Sequence, residues 1–358
     1  MAKPALEALL ERGDSAPNFF LTDQRDTIIS LLDKARGGPL FVLFFPTQKD
    51  PGALAEYQAM CAAAPAMLGT GAHLFAICAD PVQLVQKLAA NDNPGFFVLS
   101  DADKKVATRF GARGKLLGFV FGPDRRVHKV LRPGDTTIAQ RAAEEIASLG
   151  EVTPFPASLH PPILVLPQVF SPDFCRWLIE EFETRGNEPS GTLRVSEGKM
   201  VHDTSGQIKQ RRDHHVVDKD LLEAIGSRIE RRVLPEMQRA FHCPIRFVEE
   251  FKIVRYDADP GGFFRPHRDN TTMGTAHRRF AMTLNLNTED HEGGELRFPE
   301  YGHASYRPAT GAAAIFSCNL LHEATDVTKG SRYVLLSFMY DETGRQVMEK
   351  YQQTRDRV

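Results

Sequence analysis

The pattern of apolar and polar positions changes character near the middle of the chain. In the first part, short wholly apolar runs alternate with longer stretches of helical composition. Pro39–Phe45 (PLFVLFF) has no polar position, which predicts a strand buried on both faces. Ala53–Met67, rich in Ala, Leu and Met, predicts a helix. His73–Ala79 then predicts a second buried strand, Pro81–Ala90 a helix, Gly95–Ser100 a strand and Lys104–Phe110 a helix. Leu116–Phe121 predicts a further strand that enters the turn GPDRR. Strands separated by helices imply an α/β domain.

Glu151–Ile163 (EVTPFPASLHPPI) is proline-rich and can join neither a helix nor an inner strand, so it predicts a linker. The organisation expected is a domain over 1–152, a linker over 153–162 and a second domain over 163–358. Beyond the linker, Ser171-Pro172-Asp173 has the form of a helix start, a capping serine followed by proline at the first helical position. Phe174, Trp177, Leu178 and Phe182 recur at helical spacing until Gly186. Leu221, Ile225, Ile229, Val233, Met237 and Phe241 recur every fourth residue and predict one helix, kinked at Pro235. From Ile245 onward short strands are expected at Phe247–Tyr256, Phe280–Asn287, Gly294–Phe298, Ala312–Ser317 and Tyr333–Tyr340. Helices followed by many short strands suggest helices packed on a β-sandwich or barrel.

Composition narrows the function classes. Lys+Arg 44 against Asp+Glu 46 gives a net charge of -2, without the basic excess of a nucleic-acid binder. The longest apolar run, Leu40–Phe45, falls far short of the roughly 20 residues of a membrane span. Glu7, Glu11 and Arg12 interrupt any signal-peptide core, so a cytoplasmic protein is expected. The cysteines (Cys61, Cys78, Cys175, Cys243, Cys318) are scattered without a CxxC pair, which fits reduced thiols and excludes a disulfide scaffold.

Among the histidines, His267 alone has a carboxylate two residues on, Asp269. Residues i and i+2 of a strand face one side, so this pair can point into a common cavity. A third ligand must come from elsewhere, and His322, 322 − 267 = 55 residues on, is the best candidate. Two histidines and one carboxylate leave three positions of an octahedral metal open, the arrangement of non-haem Fe(II) oxygenases. Arg332 follows after a turn at Thr328–Ser331 and would bring a guanidinium suited to bidentate carboxylate binding into the same cavity. A chelating dicarboxylate, 2-oxoglutarate, satisfies both features. An HxD pair by itself is cheap; its company carries the reading.

Several segments in order then resemble the prolyl 4-hydroxylase type of Fe(II)/2-oxoglutarate dioxygenase. They are Val254-Arg255-Tyr256 followed by PHRDN, Asn285-Leu286-Asn287, Gly293-Gly294-Glu295-Leu296 with Phe298-Pro299, and GAAAIFSCNLLHEATDVTKGSRYVLLSF. The resemblance implies a double-stranded β-helix (jelly-roll) fold over roughly Ile163–Tyr340, iron at His267, Asp269 and His322, and 2-oxoglutarate on Arg332, with Tyr256 assisting. It also implies O2 as cosubstrate, ascorbate as an accompanying reductant and a prolyl residue in a peptide or protein as substrate, a free amino acid being the alternative. Arg212, Arg278 and Arg279 are candidate substrate donors and Phe338 a candidate apolar wall. Lys209–His215 falls where the family often has a mobile substrate-covering loop, with a solvated charged loop the plainer reading. His214, His215, His277, His291 and His303 lack partner spacing and are expected on the surface or in loops. The departures are Arg332 where lysine is common, Asn285 where an aromatic is usual, Leu296 where some members carry a hydroxyl, and a longer Tyr256–His267 stretch.

Gly13–Val130 is similar to the peroxiredoxins, through APNFFL, FFPT, SDADKKVATRFGA and FGPDRRV, and this implies a thioredoxin-like fold. The peroxidatic cysteine of that family falls seven residues after the proline that is here Pro46, where this chain has Ala53. The threonine or serine three residues earlier is Asp50. Cys61 and Cys78 are expected as small core residues, and the domain as a docking, dimerising or regulatory module, with a homodimer one assembly it could support. The rival functions are a thiol peroxidase with an appended binding domain and a non-catalytic protein with a vestigial oxygenase fold.

Overall fold

The computed structural model describes residues 9–34, 37–150, 159–190, 192–196, 199–203 and 208–355, and divides into two compact units, Met1–Pro154 and Phe155–Val358. Residues 153–158 of the expected linker lie outside the described residues.

The first unit is built on a seven-stranded sheet ordered Ile28–Ser30, Phe20–Asp23, Phe97–Ser100, His73–Cys78, Leu40–Phe45, Leu117–Phe121 and Val127–Leu131. The three central strands run parallel, and the rest pair antiparallel. The wholly apolar run at Leu40–Phe45 has the predicted cause. Phe41, Leu43 and Phe45 face a core completed by Tyr57 and Met60 of helix Pro51–Gly69 and Ile138 of helix Ile138–Ser148. Leu40, Val42 and Phe44 face the opposite core, with Phe75, Phe110 and Phe119. Each such phenylalanine contributes on the order of 1.5–3 kcal/mol by leaving water. This is a thioredoxin-like fold, with helices on both faces of a sheet.

The second unit is a jelly roll of two sheets. The larger runs Ile163–Leu166, Ala313–Ser317, Phe280–Asn285, Ser331–Tyr340, Lys252–Asp257, Arg212–His215 and Glu188–Pro189, with Phe247–Val248 also paired to Ser331–Tyr340. The smaller runs Lys209–Gln210, Phe263–His267, His322–Ala324, Leu296–Arg297 and Ser305–Tyr306. Alternation along Ser331–Tyr340 divides its side chains. Leu335 and Met339 pack outward on Leu178, Phe182, Ile225 and Met237 of the covering helices, whereas Val334 turns inward against Val254 and Tyr256. Ser171 caps helix Pro172–Thr184 by accepting from the Phe174 amide, as its sequence predicts.

Three expectations are corrected here. The Leu221–Phe241 periodicity belongs to two helices, Lys219–Arg232 and Leu234–Phe241. Pro235 stands in the first turn of the second, where a missing N–H is harmless, and so it marks a start and not a kink. Phe247–Tyr256 is likewise two strands, separated at Glu249–Phe251. Lys209–His215 is neither a covering loop nor a solvated one. Lys209 and Gln210 pair with Phe264 and Phe263, and Arg212–His215 pair with Lys252–Arg255, so the segment crosses from one sheet to the other. Elements not expected include the helix Ile138–Ser148, the strand Phe263–His267, the Thr192–Ser196/Lys199–Asp203 hairpin and the polar C-terminal helix Glu342–Arg355.

Candidate metal and cosubstrate site

His267 ends strand Phe263–His267, and its cross-strand partner is His322, the first residue of strand His322–Ala324. That pairing sets the two imidazoles side by side, ring centroids 4.3 Å apart. Asp269 lies just beyond the strand end, in a turn, so the simple i, i+2 strand geometry is not what aims it. Its backbone N–H donates to Cys318 O at 3.1 Å, which ties the turn to the segment preceding His322. The Asp269 carboxylate lies between the rings, with Oδ1 3.4 Å from His267 Nε2 and Oδ2 3.4 Å from His322 Nε2.

This donor set fits a divalent metal. His267 Nδ1 lies 2.8 Å from Arg265 O and His322 Nδ1 3.0 Å from Leu320 O, and since a carbonyl oxygen can only accept, the ring nitrogen must donate. Both Nδ1 atoms therefore carry the proton, and both Nε2 lone pairs face the carboxylate. The orienting contact is the one metal-ligating histidines use. Ligand atoms of the three residues lie within 4.8 Å of one another, the one such cluster of three or more among the described residues. Burial pushes the His322 imidazole down to about 4, so it is neutral at pH 7. Burial acts to raise the Asp269 carboxyl, but the positive charge that His322 and His267 carry when protonated, together with Arg278, holds it below the usual carboxylate range.

Arg332 and Tyr256 are cross-strand partners on the inward face, 5% and 3% exposed, with the guanidinium carbon 5.3 Å from the tyrosine ring centre. Burial lowers the Arg332 pKa from its ordinary value; Tyr256 opposes that and Arg211 adds to it. The Asn285-Leu286-Asn287 motif has a physical role at this point. Asn287 accepts from Tyr333 N–H and donates to Ser331 O, both at 2.9 Å, and so clamps the backbone on either side of Arg332. Asn285 Oδ1 accepts from Arg332 Nη2 at 3.4 Å. Gly294, at φ 73°, leaves room for the arginine stem, since a Cβ there would fall 2.7 Å from Arg332 Cδ.

The candidate substrate residues are distributed differently. Arg278 and Phe338 come together, the guanidinium 3.6 Å above the ring, but Arg278 is held bidentate by Glu249 at 2.7 and 2.8 Å. Arg279 reaches Asp341 at 3.3 Å, and Arg212 is engaged by the side chain and carbonyl of Asn187. Each of the three candidate donors is thus engaged by a neighbouring acceptor of the protein. The spare histidines also need correction, because His214, His277 and His291 are buried. His214 Nδ1 bonds Gly186 O at 2.6 Å, His277 bonds Glu249 at 2.8 Å and His291 Nδ1 bonds Gly293 O at 3.1 Å. Of the five, only His303 is exposed, with His215 half-buried against Glu250. Sequence reasoning missed Arg211, whose side chain is buried beside Tyr256.

In the first unit, Ala53 stands in the first turn of helix Pro51–Gly69. Asp50 caps that helix, accepting from Gly52 N–H at 2.9 Å and Ala53 N–H at 3.1 Å. A carboxylate thus occupies the helix-end field that would stabilise a thiolate. Cys78 is fully buried and donates to Asp80 at 3.2 Å, and burial raises its thiol to about 12. Burial raises the half-buried Cys61 as well.

Residues 251–340 match the 2OG-Fe(II) oxygenase superfamily, and residues 12–142 match the AhpC/TSA family. The chain therefore belongs to the AhpC/TSA family in its first domain and carries a 2OG-Fe(II) oxygenase domain in its second. It is 30% identical to a putative peroxiredoxin of Mycobacterium tuberculosis over 131 residues, which are 34% of this chain and 85% of that protein. It is 29% identical over 180 residues to a multifunctional procollagen lysine hydroxylase and glycosyltransferase of Caenorhabditis elegans, 48% of this chain but only 23% of that relative's length. Similar solved structures include peroxidoxin BcpB of Mycobacterium tuberculosis (28% identity, TM-score 0.36, covering 39% of this chain and 96% of that one). The collagen prolyl hydroxylase of Paramecium Bursaria Chlorella virus-1 in its 2OG complex is also similar (16% identity, TM-score 0.38, covering 49% and 94%).

Proposed function

We propose that the second domain is an Fe(II)- and 2-oxoglutarate-dependent dioxygenase that hydroxylates an unactivated C–H of a prolyl residue in a peptide or protein. One observation carries this reading. Three metal donors converge with both imidazole Nε2 atoms aimed inward, in the barrel whose inner face also bears Arg332. His267, Asp269 and His322 would hold the iron. When bound there, it would supply O2 activation coupled to decarboxylation of 2-oxoglutarate to succinate and CO2. Arg332 anchors the far carboxylate of the cosubstrate, Asn285 and Asn287 hold Arg332, and Arg265 O and Leu320 O keep the ligand histidines in the metal-binding tautomer.

The substrate reading is supported by charge pairing around the ligands. Glu249 is taken by Arg278 and His277, Glu300 by Arg268, and Glu323 lies 3.6 Å from Arg297. A pre-paired rim suits a neutral pyrrolidine ring better than a free amino acid, which needs uncommitted charges for its own ammonium and carboxylate. A lysyl residue is the second reading, favoured by likeness to the collagen lysine hydroxylases. The test offers end-blocked proline-rich peptides, end-blocked lysine peptides and free L-proline, and follows substrate-dependent succinate and +16 Da products. Turnover confined to the proline peptides is expected. Turnover confined to lysine peptides moves the assignment to the second reading, and turnover of free proline alone rejects both.

A further inference from the structure

Between the two ladders made by Lys209–Gln210 and Arg212–His215, one residue belongs to neither sheet. Arg211 sits at the corner where the chain changes sheets, and its carbonyl accepts from Ser190 N–H at 3.0 Å. Its side chain turns into the barrel and is 10% exposed. There its guanidinium lies 2.9 Å from Asp213 Oδ1 and donates to Oδ2 at 3.0 Å, while Nη1 donates to the Tyr256 hydroxyl at 3.1 Å. Asp213 is fixed in turn by Ser190 Oγ at 2.6 Å. The guanidinium also lies 5.6 Å from the ring of Phe264, which stacks on the His267 imidazole at 3.4 Å between centroids.

The Tyr256 oxygen thus accepts from Arg211, and the guanidinium carbon of the cross-strand neighbour Arg332 lies 5.3 Å from the centre of the same ring. A phenol has one hydrogen to give, and a guanidinium can only donate. With Nη1 of Arg211 donating into the oxygen, the hydroxyl hydrogen cannot point at either arginine. It is left as a donor to an acceptor that arrives in the pocket.

We propose that Arg211 is a positioning residue of the cosubstrate pocket, fixing the Tyr256 hydroxyl as a donor to the carboxylate held by Arg332. The inference rests on the proposed use of 2-oxoglutarate. It makes Arg211 act on the cosubstrate through Tyr256 alone, and that is measurable as coupling.

The experiment is a double-mutant cycle on full-length protein loaded anaerobically with Mn(II), reading the equilibrium Kd of 2-oxoglutarate by calorimetry. Tyr256→Phe is expected to weaken binding about tenfold, the loss of one hydrogen bond to a charged group. Arg211→Lys keeps a charge beside Asp213 but loses the fork, and is expected to weaken binding about fivefold in the native background. In the Tyr256→Phe background the same change should have no further effect. Equal weakening in both backgrounds overturns the proposal, as does an Arg211→Lys protein that binds like wild type. Should Arg211→Lys not fold, Arg211→Gln with Asp213→Asn removes both buried charges together and completes the same cycle. Mn(II) affinity is expected to stay within twofold throughout, and a parallel loss of metal would overturn the positioning role. If the unaltered protein shows no 2-oxoglutarate binding, the proposed function itself fails; normal binding with additive mutants rejects only the role of Arg211.

Discussion

The two domains differ in what they have kept. The first has a seven-stranded sheet with full cores on both faces, yet alanine stands at the position of the reactive thiol and a carboxylate caps the helix end beside it. The second converges two histidines, a carboxylate and a buried arginine in one barrel. The comparison teaches that the core and the site are separately determined. Dozens of apolar contacts maintain the thioredoxin-like fold whether or not position 53 carries sulfur, whereas the oxygenase chemistry hangs on a few side chains.

The most drastic way to break the comparison is to remove a ligand. His267→Ala or Asp269→Ala should abolish 2-oxoglutarate-dependent succinate formation. Metal affinity should fall by more than the roughly 10–100-fold typical for an outer partner of a ligand. Stoichiometric iron in His267→Ala, measured on anaerobically prepared protein, would remove the triad from the account. Next in size is Arg332→Ala, expected to raise the 2-oxoglutarate requirement by about 10–100-fold, equivalent to about 1.5–3 kcal/mol, with metal binding nearly intact. Arg332→Lys should be milder, because charge survives and the fork does not. Equal loss of metal and cosubstrate would mean that Arg332 is structural.

A subtler change sharpens the contrast from the other side. Ala53→Cys restores sulfur to the first domain but leaves Asp50 on the helix end. Its thiol should titrate above the range of about 3.5–7.5 seen for activated thiols. Asp50→Thr added to it should lower that value by about one unit or more, since a neighbouring like charge is removed. An Ala53→Cys thiol already titrating below 7, followed spectrophotometrically as thiolate, would show that Asp50 does not quench the site.

The smallest expected effect concerns His291, buried beside Gly293, whose imidazole burial pushes down to about 4. The unfolded chain binds this proton near pH 6.5 and the folded one only near 4. Stability from a neutral His291 is therefore present above about 6.5 and lost as pH falls towards 4, by at most about 3 kcal/mol. Denaturant melts at pH 7 and 5 should show a smaller drop for His291→Gln than for wild type; identical drops would contradict the assignment.

How much of this was legible in the sequence follows from the range of the interactions concerned. The α/β alternation was readable because a strand buried on both faces has no polar position, as in Leu40–Phe45. The ligands were readable because HxD is local and His322 and Arg332 fall within one continuous motif, on strands His322–Ala324 and Ser331–Tyr340. The role of Asn287 was not, since it acts through backbone atoms at Ser331 and Tyr333 that only sheet pairing brings near. Arg211 stands in a run, Lys-Gln-Arg-Arg-Asp, that looks solvated. Only the crossing between two sheets buries it, and Asp213 two residues on compensates its charge. His214 and His277 looked spare for the same reason, their partners Gly186 and Glu249 being 28 residues away in each case.

The central claim is that one metal-dependent cosubstrate site in the second domain carries the chemistry of the chain. Anaerobic calorimetry of 2-oxoglutarate against full-length protein, with and without Fe(II), tests it most directly. One molecule is expected to bind per chain when the metal is present, and little without it. In His267→Ala binding should fall to the metal-free level, and in Arg332→Ala it should be weakened about tenfold or more with the metal retained. Binding that is indifferent to the metal, or that survives unchanged in both variants, would contradict it.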